Sequence, residues 1–196
     1  MGDDHGYALG IGIDAGDQMS GTTIDDAPRS RTYQWSEGPT CTAEGLLDAR
    51  QLLIAIAGNL EGGCPLIGWA RELADLHATM LTASFYASRL AADFDGARTR
   101  TQISEFIGEI NRWAILHLPR PVNARRHTHS LGEVISHIAH TYAQMMWTLR
   151  HSEGAQNQHE AALHLAQAQE GYADLVAEIR GLRVQLPLGW RGIPVT

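Results

Sequence analysis

The chain has 196 residues, 44% hydrophobic and 19% charged, the composition of a folded domain rather than of a disordered or collagen-like chain. Its net charge of −7 argues against a nucleic-acid surface. No apolar run approaches the roughly 20 residues that span a bilayer, so neither class of partner is expected.

Residues 1–40 hold Asp3, Asp4, Asp14, Asp17, Asp25, Asp26 and Glu37 against Arg29 and Arg31, leaving only −2 for the rest of the chain. This stretch is rich in Gly and Asp without helical period, so a flexible acidic leader is expected, with a short strand near Ala8–Ile13. Its piece GIGIDAGDQMSGT is superficially similar to the phosphate loop of sugar-kinase and actin-like ATPases. The alternating strands of those folds do not follow, and the similarity is set aside. The opening MGDDHGYALG lacks the charged-then-apolar order of a signal peptide, so a cytoplasmic protein is expected; Met19 is a second candidate start. In that compartment Cys41 and Cys64 read as buried thiols rather than a disulfide.

From residue 41 onward the pattern is helical, and residues 41–196 are expected to form one domain. AEGLLDARQLLIAIAG predicts a short helix carrying Leu46, Leu53 and Ile54, ended by Gly58-Asn59. Pro65 suits the first turn of the next helix, where its missing N–H costs nothing. Leu66, Trp69, Leu73, Leu76, Met80, Ala83, Ala87 and Leu90 then recur at steps of three and four, a sustained apolar seam. After a break at DFDGA, a third helix is expected over about Arg100 to Leu118, with Ile103, Phe106, Ile110 and Trp113 on its seam. Pro119 and Pro121 stop it. Ser130 and Glu133 form an S-x-x-E capping box that opens a fourth helix reaching about His151, with Ile135, Ile138, Tyr142, Met145 and Leu149 as its seam. Asn157 with Glu160 predicts a similar opening for the last helix. Its seam runs through Ala161, Leu165, Ala168, Tyr172, Leu175, Ile179, Leu182 and Leu186 to Pro187. Four long one-sided helices and one short one, joined by short connections, predict an all-α antiparallel helical bundle.

The motifs PLIGWARELADLH, ISEFIGEINRWAILHLP, HTHSLGEVISHIA and HEAALHLAQAQEGYADLVAEIRGLRVQLP occur in that order. On them, the chain from about Leu46 to Trp190 resembles an all-helical bacterial domain family of unknown function found in actinobacteria and their phages. The resemblance implies an all-helical fold and no particular activity. His77, His127 and His159 stand where histidines of that family stand. His127-Thr128-His129 replaces its usual His-Thr-Glu, and Ser136-His137 its usual acidic-then-Arg pair, so a site built on those charges is altered here.

Half of the ten histidines fall between Arg125 and His151. At about 100° per residue, Glu133, His137 and His140 share the face opposite the fourth helix's seam, as E-x3-H-x2-H. A carboxylate and two imidazoles so spaced can converge on a divalent metal, given a further ligand such as His77 or His117 from a facing helix. Against this, Glu133 already serves the capping box and a face opposite a seam ordinarily meets water. His77 and His117 lie on or beside seams and read more simply as hydrogen-bonded core histidines. Trp69 and Trp113 likewise read as core rather than as a ligand cage.

A second reading places an anion at the helix start, where Arg120, Arg125, Arg126, His127 and His129 crowd the approach to Ser130 and the unpaired N–H groups of a first turn attract phosphate. A solvated basic loop paired with the acidic leader is the plainer alternative. A third places a metal on carboxylates: Glu72 with Asp75 on one helix and Glu105 with Glu109 on another, as in all-helical nucleotide pyrophosphohydrolases, although the second interval departs from theirs. No nucleophile elbow, phosphate-binding P-loop or cysteine-nucleophile pattern is present.

The sequence therefore predicts a non-catalytic binding or regulatory protein that takes a phosphorylated small molecule or a protein partner and needs no cofactor. Surplus seam residues predict a homodimer. The alternatives are a metal-dependent hydrolase of a nucleotide or other phosphate compound, and a phage or host interaction protein acting through its seam.

Overall fold

The computed structural model describes residues 45–85 and 95–187, all within one unit of the chain, Ser36–Thr196. The leader, Cys41, the seam positions Ala87 and Leu90, and the end of the chain including Trp190 lie outside the described residues. What is described is mostly helical: α1 (Ala49–Ile56), α2 (Pro65–Phe85), α3 (Gly96–His117), α4 (Leu131–His151) and α5 (Ala155–Arg180). Two short strands, β1 (Arg125–Arg126) and β2 (Val184–Gln185), pair in parallel, Arg125 opposite Val184 and Arg126 opposite Gln185.

Each helix start follows from a local device. Asp48 caps α1, accepting from the Gln51 amide at 2.7 Å while its own amide donates to the Gln51 side chain at 3.0 Å. The helix therefore begins later than its periodicity predicts, and Leu46 and Leu47 enter the core from outside it. Gly58, at φ 77°, turns the chain out of α1 in a conformation side chains resist, and Pro65 opens α2. The Asp95 carboxylate takes the amides of Ala97 and Arg98, so α3 starts four residues sooner than its seam suggests. Gly154, not Asn157, caps α5; the Asn157 side chain instead donates to Ser152 Oγ at 3.2 Å.

The end of α5 is the largest departure from the sequence expectation. The seam continues to Leu186, yet the helix stops at Arg180, and Leu182 adopts φ 55°. Past it, Val184 is buried and pairs with β1. No apolar alternation of useful length marks either two-residue strand.

Helix α4 packs against α2, α3 and α5, while α2 also meets α1 and α3, and α1 meets α5. Leu66, Leu73, Ile110, Ile135, Ile138 and Leu175 form the centre of one hydrophobic core, each contributing about 1.5–3 kcal/mol by burial. Trp113 is buried and Trp69 partly so, both against that core. Two polar bonds tie the core to the start of the described chain. The buried Tyr172 hydroxyl donates to the Leu47 carbonyl, and Arg180 donates to that of Leu46, both at 2.9 Å. Burial pushes the Tyr172 hydroxyl well above its ordinary value, so it remains a donor. No helix among the described residues is long and apolar enough to cross a membrane.

Candidate functional site

The basic approach to α4 is built from β1 and the turn after it. Arg125 and Arg126 are exposed, and Arg125 forms an ion pair with Glu178 of α5. The His127 amide donates to the Gln185 carbonyl at 2.9 Å, extending the strand pairing. His127 Nδ1 stands 2.8 Å from the carbonyl oxygen of His129, and Thr128 Oγ1 stands 2.9 Å from His129 Nδ1. The loop is thus held by its own bonds.

The first turn of α4 is equally occupied. The Ser130 amide donates to the Glu133 carboxylate at 2.7 Å and the Glu133 amide returns to Ser130 Oγ at 3.3 Å, the capping box read from the sequence. The Gly132 amide donates across to Asn111 Oδ1 of α3 at 2.9 Å. A phosphate at this helix start would have to displace bonds already made. The five residues Arg125, Arg126, His127, His129 and Ser130 lie together, but Ser130 is buried and the amides of Ser130, Gly132 and Glu133 already have partners.

The metal-ligand sets of the sequence are not closed. Glu133 turns its carboxylate back to its own helix start, away from a common point with His137 and His140. Glu105 is exposed, Glu109 pairs with Arg112 at 3.0 Å, and Glu72 and Asp75 sit one turn apart on α2. Among the described residues no three His, Cys, Asp or Glu side chains stand where they could hold one ion.

The structure instead joins histidines from two helices. His77 of α2 places Nε2 3.0 Å from Ser136 Oγ of α4, and its ring meets that of His140 edge-on, centroids 5.0 Å apart. His140 therefore faces a neighbouring helix rather than water. The available signal was the run Gly132, Ser136, Ala139 and Ala143, small residues at steps of four and three, all buried. They let helices approach α4 on a side with no large apolar seam. His117 is half-buried, 2.8 Å from the Trp113 carbonyl and stacked on the Trp113 ring, away from the other candidates.

The feature missed by the sequence is an aromatic column where α2, α4 and α5 come together. Phe85 stacks on Trp147 with centroids 4.9 Å apart, and Trp147 on His151 at 3.9 Å. His151 Nδ1 donates to the Trp147 carbonyl at 2.9 Å, fixing that ring. The three rings line a groove of about 540 Å³ together with Leu81, Met145 and Ala161. Trp147, His151 and Leu81 also line a second cavity, of about 570 Å³, towards α1. Phe85 and Trp147 are 62 positions apart, beyond the reach of any local pattern. Compared with family models, curated proteins and solved structures, the chain finds no match.

Proposed function

We propose that this chain is a cytoplasmic, non-catalytic binding protein, an antiparallel helical bundle of the family it resembles, that engages a protein partner through the groove between α2, α4 and α5. The observation that carries this reading is the Phe85–Trp147–His151 column. Phe85 is 62% exposed at the groove, and stacked rings present large apolar area with little rotamer freedom left to lose. Such anchors dominate binding energy at protein interfaces. The first candidate partner is a second copy of the chain, since like subunits commonly associate through one self-complementary patch.

The test is sedimentation of the full chain over a wide concentration range, beside Phe85→Glu. A dimer in the parent chain that dissociates in the variant supports the reading. A parent chain that remains monomeric at every concentration removes the homodimer. A dimer untouched by Phe85→Glu removes the groove as its site.

A further inference from the structure

We infer that the α2–α4 contact is a proton-sensitive joint, in which His77 and His140 hold the two helices together as neutral rings and force them apart once protonated. The inference starts from placement. His77 crosses from α2 to within 3.0 Å of Ser136 Oγ on α4, and its ring stands edge-on to His140 at 5.0 Å and 64°. His137 follows Ser136 directly, and His140 lies one turn beyond it. Ser136 is buried, and His77 and His140 are half-buried. Two imidazoles from two helices thus share one poorly hydrated place, where a first positive charge lacks solvent and a second meets the first, while His137 beside them is exposed.

The groups that reach His77 are both on α4, His140 and then His137; no carboxylate of α1, α3 or α2 itself among the described residues offsets them. His140 in turn is reached by His137, with no opposing charge from α3 or α5 among the described residues. Burial, followed by His140 and His137, brings His77 down to about 4, against the opposing effect of the Ser136 backbone. Burial and then His137 lower His140 as well. Both histidines therefore titrate lower in the folded chain than in the unfolded one, whose ordinary value is about 6.5. Between those values the unfolded chain binds more protons, so stability is undiminished above the ordinary value and falls as pH drops below it. For His77 the loss is complete by about 4.

The joint lies beside the groove. His77 precedes Leu81 by one turn and His140 directly precedes Thr141, and both Leu81 and Thr141 line the groove. Separating α2 from α4 here would move opposite walls of that groove together with the joint. The inference does not depend on what the groove binds.

Thermal melts of the full chain between neutral pH and about pH 5, beside the double variant His77→Asn with His140→Gln, test it directly. The parent chain is expected to lose about 5 °C or more of Tm relative to the variant over that range; parallel curves would overturn the inference. Should the variant not fold, imidazole NMR of the parent chain decides. A His77 ring that stays neutral to about 4, or until the chain melts, supports the joint. An ordinary midpoint near 6.5 in the still-folded chain refutes it.

Discussion

At the scale of single residues, Gly132 is the described glycine with least room for a side chain. A Cβ built there would lie 2.5 Å from the Ile107 carbonyl oxygen and 3.0 Å from Ile107 Cα, both backbone atoms of α3. Gly132→Ala is expected to cost roughly 2–3 kcal/mol by chemical denaturation, because α3 and α4 must separate to admit the methyl group. Gly108→Ala, at a helical position with open space around it, should instead stabilise by about 0.5–1 kcal/mol. Equal effects of the two substitutions would refute the close approach. The sequence reading passed over Gly132 because a glycine behind a capping box resembles ordinary helix-start chemistry. Its reason lies on another helix. The same holds for Ser136 and His140, whose meaning comes from His77, 59 and 63 positions away. The Ser130–Glu133 box was legible because both partners sit within one turn.

At the scale of elements, the ends of α3 and α4 fell within a residue of the sequence expectation while that of α5 did not, and the chemistry of α5 shows why. The amides of Leu182 and Arg183 donate to the carbonyls of Ile179 and Glu178, the paired bonds of a Schellman ending. Glycine usually occupies the left-handed position of that motif, but here Gly181 sits one residue early at φ −81° and Leu182 takes φ 55°. A left-handed conformation costs a side-chain-bearing residue about 1–2 kcal/mol, and Leu182 is largely exposed. Leu182→Gly is therefore expected to raise stability by about 1 kcal/mol, read as a higher denaturation midpoint at unchanged slope. A lower midpoint would show that the leucine's contacts outweigh its backbone. The unbroken seam hid this ending, since periodicity registers apolar spacing and not the sign of φ. Leu149 failed in the opposite way: it keeps the seam of α4 and is nonetheless 46% exposed, near the end of its helix.

At the scale of the whole molecule, the all-helical class followed from the sequence because four long seams must be buried somewhere. Which helix stood at the centre did not. Helix α4 meets three others, and small residues rather than large apolar ones make room on its second side. Closure of the fold depends on two side chains of α5. Tyr172→Phe removes the donor to Leu47 and leaves a buried carbonyl without its partner, at an expected cost of about 1–2 kcal/mol. Amide hydrogen exchange should show the loss of protection concentrated in α1 and the residues before it; a loss spread evenly over α2–α4 would contradict this link. The Tyr172 and Arg180 bonds span 125 and 134 positions, so the two ends of the described domain close on each other. During synthesis at roughly 5–20 residues per second, Leu46 and Leu47 leave the ribosome on the order of ten seconds before the residues that receive them. For that interval the nascent chain displays the side of α1 that α5 will cover, and it is there that a folding chaperone has something to hold.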